Sequence, residues 1–202
     1  MTVFGQILVT YEVQKDVLAF IQNWLPTYIA ELERQYNLTV RTIARPKDYQ
    51  IGRNADNWPE DALPLVLLTC NQMADPEQDT DSVGYWFEFT GNIVVQSVDE
   101  DDSQRVASFI GAALMALIHQ KRKLGGLAET TDVGDLTLLD MGDQARTRAI
   151  AAFGFRSFIP AVVKPWAGPT EPDPQPDPDL PYDDLPVVSE VAVEVSGIPI
   201  NS

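Results

Sequence analysis

The clearest pattern of hydrophobic and polar positions in this chain covers residues 84–123. In residues 85–98, aromatic and β-branched residues alternate with polar ones, which predicts a long strand. Beyond it, apolar residues recur every three or four positions and predict an amphipathic helix, with Val106, Phe109, Ile110, Ala113, Leu114, Leu117 and Ile118 on one side. The acidic run Asp99–Asp102 suits the start of this helix, and Gly125-Gly126 predicts its end.

Weaker patterns on both sides predict one further helix and three further strands. The helical period after Asp16 continues to Tyr36 and is interrupted by Pro26, where the helix either kinks or divides in two. The predicted strands are residues 63–70, 132–141 and 145–163. Fainter signals favour an extended arm or strand within residues 1–15 and a strand fragment near residues 38–43.

These elements predict an α+β fold, with an antiparallel sheet of about four strands and two helices packed on one face. We expect this core to span residues 1–163. Residues 165–202 hold nine of the 15 prolines and eight acidic residues without lysine or arginine, so residues 164–186 are predicted to be an extended linker. Residues 187–202 are predicted to form a C-terminal arm, because Val187–Val195 alternates like a strand that adds to a sheet edge of its own or a neighbouring subunit.

Composition narrows the classes of function. The formal net charge of -16 argues against a protein that grips nucleic acid over its whole surface, and against docking on anionic membranes. The N-terminus lacks the basic-then-apolar layout of a signal peptide, so we do not expect secretion. A single cysteine, Cys70, excludes a disulfide within the chain.

Candidate catalytic residues are few. His119 is the only histidine and is read as a surface residue, and Cys70 as a small core residue. Asp99–Asp102 could hold a divalent cation, but the run lacks the spaced ligands of a calcium loop and is explained by the start of the helix. No nucleotide-binding, hydrolase or metal-binding motif occurs. We therefore predict no enzyme, no catalytic residue, no metal site and no cofactor.

Six basic residues remain as candidate site residues. Three readings stay open for them: ordinary surface, pairing with acidic residues of a neighbouring subunit, and contact with phosphate. No aromatic stacking pattern accompanies the charges, which leaves phosphate contact the least favoured. The residues are Arg41, Arg45, Lys47, Arg53, Arg146 and Arg148.

The order of elements resembles that of the tail terminator (tail completion) proteins of long-tailed bacteriophages, over about residues 5–163. The matching features are the early helix ending in Glu31-Leu-Glu-Arg34, the strand at 63–70 with its acidic loop, and the strand at 85–98. The capped, alanine-rich helix after Asp99–Asp102 and the closing strands near 146–163 continue the match. The acidic proline-rich segment departs from the small core of that family.

The resemblance implies a structural virion protein of the tail or neck, assembled in the host cytoplasm. Members form a homohexameric ring that caps the tail tube, ends its polymerisation and joins the head-side connector. The implied partners are further copies of the chain, the major tail tube protein, the head–tail connector protein and double-stranded DNA that passes through unbound, with no membrane. The six basic residues would face a subunit interface or the lumen.

Three alternatives stay open. One is a head–tail connector or stopper protein, and another is a non-viral cytoplasmic binding domain whose C-terminal strand docks on a partner. The third is an enzyme with a metal at Asp99–Asp102. A ring of six separates the virion readings from the others, and capping of the tube separates a terminator from a connector.

Overall fold

The computed structural model describes residues 4–39, 41–52, 60–78, 82–97, 99–140 and 147–165. The predicted C-terminal arm, and the linker beyond Pro165, lie outside these residues. The described part contains two helices, six strands and two single 3₁₀ turns, at Glu60–Ala62 and Leu124–Gly126. In chain order the elements are β1 (Phe4–Ile7), α1 (Thr10–Gln35), β2 (Asp48–Ile51), β3 (Leu65–Gln78), β4 (Val83–Ser97), α2 (Glu100–Gln120), β5 (Thr130–Asp140) and β6 (Thr147–Pro165).

The six strands form one sheet in which β6 has the most partners. The strands lie in the order β1-β6-β4-β3-β2, and β5 also pairs with β6. All pairs are antiparallel except β2 with β3. The predicted α+β class is therefore confirmed, with a mostly antiparallel sheet. The sheet has six strands rather than about four. β1 lies within the faint signal at residues 1–15, and β2 is only four residues long and too short to show a clear period.

Both helices pack on the same face of the sheet, as predicted. α2 contacts β4, β5 and β6, whereas α1 contacts β2, β3 and α2. The strands contribute alternate residues to this core, since successive side chains of a strand point to opposite faces. The buried strand residues on this face include Val66, Leu68, Phe87, Phe89, Ile93, Val95, Ala149, Ala151, Phe153 and Phe155.

Helix α1 begins one to two turns earlier than predicted. It starts at Thr10 instead of after Asp16, because Val13 is fully buried and extends the core stripe backwards. Pro26 lies inside the helix on its exposed side, and the helix continues past it. The predicted strand fragment at residues 38–43 is wrong. The described residues of this stretch form a loop in which Arg41 has a positive φ of 68°.

The acidic run before α2 serves the helix start. Asp99 is the N-cap, and its side chain accepts a hydrogen bond from the backbone N–H of Asp101. Asp102 accepts from Arg105 at 2.8 Å and from the Ser97 hydroxyl at 3.0 Å. The Arg105 hydrogen bond is the main cause that lowers the pKa of Asp102. Asp99 thus accepts a hydrogen bond from a free amide of the first turn, and the negative charges of the run stabilise the positive end of the helix dipole.

The bulge in β5 generates a prediction. Pairing with β6 shifts register between Val133 and Leu136, and a Cβ at Gly134 would lie 2.7 Å from the carbonyl oxygen of Gly154. We expect Gly134→Ala to lower the free energy of unfolding by about 2 kcal/mol, because backbone cannot give way as a flexible side chain can. Urea denaturation measures this change.

Gly154→Ala is the matched control on the adjacent strand. A Cβ at Gly154 would meet no atom within 4 Å, so we expect its urea midpoint to stay near that of the wild type. Equal losses for both variants would show that the close approach at Gly134 does not limit stability.

Candidate functional site

The structure describes four of the six predicted basic residues. Arg41, Arg45 and Lys47 lie in the loop between α1 and β2, and Arg148 lies near the start of β6. Since β2 begins beside the start of β3, and Arg148 pairs in register with Gln96 near the end of β4, all four lie at the same end of the sheet. Arg53 and Arg146 lie outside the described residues.

Arg45 forms an ion pair with Glu33 of α1. Its Nη1 and Nη2 donate to the two carboxylate oxygens at 3.0 and 2.7 Å, and Nη1 also donates to the Ile43 carbonyl at 2.7 Å. The backbone N–H groups of Arg41 and Ile43 donate to the same carboxylate. The Glu33 side chain is 2% exposed and that of Arg45 is 26% exposed. Arg45 therefore anchors the loop to the helix.

This arrangement keeps Glu33 ionised. The hydrogen bond from Arg45 is the largest cause and, with the two backbone donors, it lowers the pKa of Glu33 from 4.5 to about 2 against the opposing effect of burial. A buried carboxylate is tolerated only when its oxygens are paired in this way. The sequence could not separate Arg45 from its basic neighbours, because its partner lies 12 positions earlier on a different element.

The other described basic residues have different surroundings. The side chains of Arg41 and Lys47 are exposed. Among the described residues, their hydrogen bonds come from the backbone N–H groups, which donate to Glu33 and to the Pro64 carbonyl respectively. Arg148 is half-buried, and its Nε donates to Gln96 at 2.9 Å. Arg41 and Lys47 thus remain the residues best placed to reach another molecule. Their assignment to a subunit interface or lumen stays a prediction.

The candidate catalytic residues lie apart from one another. His119 is exposed in the last turn of α2. Cys70 is buried on the helix-covered face, where burial is the first cause that raises the pKa of its thiol and makes it unreactive. In the described ranges, no group of three His, Cys, Asp or Glu residues could hold a metal ion. Neither α1 nor α2 is long and apolar enough to cross a membrane.

The sheet's second face, which points away from both helices, changes character along its length. At the end near Arg148 it is apolar, with Leu65, Leu67, Val94 and Ile150 buried in a separate cluster. Next comes a polar band formed by Thr69, Asn71, Thr90 and Asn92, which line a shallow hollow of about 450 Å³. Polar groups in the band bind one another, as Asn71 Nδ2 donates to Thr90 Oγ1 at 2.7 Å.

Beyond the polar band, the second face carries an aromatic and ionic cluster around Arg156. Its guanidinium forms an ion pair with Asp75 of β3 and lies 4.4 Å from the ring centroid of Trp86 on β4. Glu88 and Asp132 are its cross-strand neighbours on β4 and β5. Arg156 thus links four strands of the sheet, and its charge is matched by acids within the subunit.

The two long edges of the sheet are surfaces that the sequence did not single out. Among the described residues, β5 pairs with β6 alone, and its neighbouring Leu138 and Leu139 are 48% and 49% exposed. On the other side, β3 continues past β2 to Gln78, with exposed Met73 and two register shifts. Exposed apolar residues on an unpaired edge strand favour association with another chain. The sequence feature that could have identified the β5 edge is the Leu138-Leu139 pair, where two consecutive apolar residues break the alternation of apolar and polar positions in that strand.

The Glu33–Arg45 pair generates a stability prediction. We expect Arg45→Met to lower the free energy of unfolding by about 3 kcal/mol, because it leaves a buried carboxylate without its cation. Arg34→Met is the control, since Arg34 and its partner Glu31 are 74% and 45% exposed. That variant should lose less than about 1 kcal/mol in the same urea denaturation experiment. Equal losses would contradict the structural role of Arg45.

The lowered pKa of Glu33 generates a pH prediction. The unfolded chain protonates Glu33 near 4.5 and the folded chain only near 2, so its stabilising effect is complete above pH 4.5 and disappears as the pH falls to 2. The difference in unfolding free energy between the wild type and Glu33→Gln should therefore shrink across this window. Glu12→Gln, an exposed change on the same helix, is the control. A difference that stays constant with pH would refute the assignment.

Comparison with known proteins gives distant likeness to solved structures only. The sequence matches no family model and no curated protein. A solved protein structure whose name describes no function is similar over 69% of this chain and 94% of its own length, at 19% sequence identity. The TM-score is 0.35, which is too low to assign a fold family or an activity.

Proposed function

We propose that this chain is a structural virion protein that forms a ring on a phage tail tube, ends its polymerisation and joins it to the head-side connector. The observation that carries the proposal is the pair of different sheet edges left unpaired in the described residues. One is the outer edge of β5 with Leu138 and Leu139, and the other is the far half of β3 with Met73.

Two unlike edges on opposite sides of one sheet favour a head-to-tail contact. The sheet order places β3 and β5 on different sides of the β4–β6 pair. If the edge of β5 meets the β3 edge of the next subunit, the same contact repeats around an axis and closes a ring when the rotation allows it. A two-fold dimer would instead pair one edge with itself and leave the other unused.

The charge of the chain supports a passage for DNA. With a net charge of -16, the ring surface would repel phosphate and let double-stranded DNA slide without specific binding. Arg41 and Lys47, exposed at one end of the sheet, would meet acidic residues of a neighbour or line the lumen. The tail tube protein and the head–tail connector would bind the two faces of the ring, in the tail or neck of the virion.

The ring itself is tested first. Native mass spectrometry across a range of concentrations, with and without tail tube protein, should show a species near six times 22.4 kDa. Leu138→Glu with Leu139→Glu should reduce this species at least about tenfold, because charges would enter an apolar contact. Monomers alone under every condition would overturn the ring.

Tyr11→Glu is the control for the ring variant. Tyr11 is an exposed apolar residue in the first turn of α1. It is close in sequence to Leu8, whose N–H donates a hydrogen bond to the Val162 carbonyl near the end of β6. Leu138 pairs with Ala151 near the other end of that strand. Assembly of Tyr11→Glu at the wild-type level would show that an exposed apolar residue away from β5 can be replaced by a charged one without loss of the ring.

Capping of the tube is tested separately. Tail tube protein polymerised with this chain should give shorter tubes with a ring at one end in electron micrographs, whereas the Leu138→Glu, Leu139→Glu variant should leave tube length unchanged. Rings that form but never shorten or decorate tubes would overturn the terminator assignment and favour a connector or stopper. A monomeric chain that binds another partner would favour a docking domain.

A further inference from the structure

The two helices form a groove with an aromatic wall. α1 and α2 run antiparallel, since Tyr28 Oη donates to Gln120 Oε1 at 3.0 Å and Tyr36 packs edge-on against Phe109 with ring centroids 5.2 Å apart. Trp24 is 41% exposed beside them. A hollow of about 450 Å³ lies between the helices. Its apolar and aromatic lining is Trp24, Tyr28, Leu32 and Ala116, and its polar lining is Thr27, Glu31, Gln35, Gln120 and Lys121. Glu31 forms an ion pair with Arg34, and the aromatic and aliphatic part of the wall suits an apolar group.

A second hollow continues the first and is lined by cations. It measures about 440 Å³ and is bounded by Phe20, Trp24, Lys121, Arg122 and Lys123 together with the turn after α2. Lys121 Nζ lies 3.9 Å from the ring centroid of Trp24, so this pair forms the wall shared by the two hollows. The turn contains Gly125 and Gly126, both with positive φ, and a Cβ at Gly126 would meet no atom within 4 Å. We call the two hollows together the helix-pair groove.

The cations of the groove stand out in an acidic chain. Lys121, Arg122 and Lys123 are three of the 14 lysines and arginines in a chain of net charge -16. Within the part of the chain that the structure describes, no acidic side chain forms an ion pair with any of the three. Arg45, Arg105 and Arg156, by contrast, each pair with an acid of the subunit. The groove therefore offers unneutralised positive charge beside an aromatic surface.

We propose that the helix-pair groove binds the acidic, proline-rich segment 172–186 of a second copy of this chain. That segment holds six prolines and five aspartates, and no lysine or arginine follows Lys164. Proline rings pack well on aromatic side chains, and an extended proline-rich chain loses little entropy on binding. Its aspartates complement Arg122 and Lys123.

Charge complementarity selects this segment as the occupant. The segment combines the two features that the groove presents, because apolar rings alternate with carboxylates along it. In the proposed ring, each groove shares one assembly with the segments of neighbouring copies, and this raises the effective concentration of a second-copy segment. This proposal rests on the proposed function only in that the ring brings a second copy to each subunit. Binding of the segment to the groove can be tested without a ring.

The first experiment measures binding of a fluorescent peptide with the sequence of residues 172–186. The receptor is the full chain in which Asp173, Asp177, Asp179, Asp183 and Asp184 are all changed to Asn, so that its own segment competes less. Fluorescence anisotropy should show saturable binding that weakens as salt is raised. A peptide with the same five aspartates changed to Asn should bind at least about tenfold more weakly.

Charge-reversal variants place the binding site. Arg122→Glu with Lys123→Glu should weaken binding of the acidic peptide at least about tenfold. Lys15→Glu with Arg105→Glu makes the same change in net charge on exposed side chains outside the groove, and should leave binding within about twofold. Equal binding of the two peptides, or equal effects of the two double variants, would overturn the proposal.

Cross-linking decides whether the segment comes from a second copy. A carbodiimide joins lysine amines to carboxylates without a spacer, and isotopically light and heavy wild-type chains are mixed before it is added. Links from Lys121 or Lys123 to residues 173–184 should include light–heavy pairs. Links found only within single chains would overturn a second-copy occupant. Light–heavy links without a hexamer in native mass spectrometry would keep this proposal and reject the ring.

Discussion

Continuous pairing along β6 is the constraint on which the rest of the described fold depends. This strand pairs with β4 from Thr147 to Val163, and its other side pairs with β5 and then with β1. Its buried aromatic residues join those of β4, as Phe155 stacks on Phe89 and on Phe153 with centroids 5.0 and 5.8 Å apart. Helix α2 packs over this surface. Removing β6 would separate β1 and β5 from the sheet and uncover one side of the core.

The sequence predicted elements well where one face of a long element is buried. α2 and β4 show this clearly, because their apolar residues keep one period from end to end. Prediction from the sequence failed where polar contacts determine the backbone conformation. The loop at residues 38–43 contains Leu38 and Ile43 and resembles a strand, yet Glu33 fixes it through the N–H groups of Arg41 and Ile43. No local pattern contains that information, since the carboxylate comes from another element.

The candidate surfaces were less predictable than the fold. The basic loop was found from its charges, but Arg45 proved to anchor the loop to α1 while Arg41 and Lys47 remain exposed. The second half of β3 was missed because its residues are exposed on both faces and lack the apolar alternation on which strand prediction depends. The helix-pair groove could not be derived from sequence alone. Trp24 and Lys121 meet only through the antiparallel packing of two helices that are far apart along the chain.

The length of β6 also has a mechanical consequence. At about 3.3 Å per residue, its 19 residues extend roughly 60 Å, from the basic end of the sheet to the residues of β6 that pair with β1. Its ladder with β4 runs along most of this distance. A force that pulls β6 along its axis against β4 would load these hydrogen bonds in shear, so that many must break together rather than one after another. The β4–β6 pair would therefore resist separation most strongly along the strand direction.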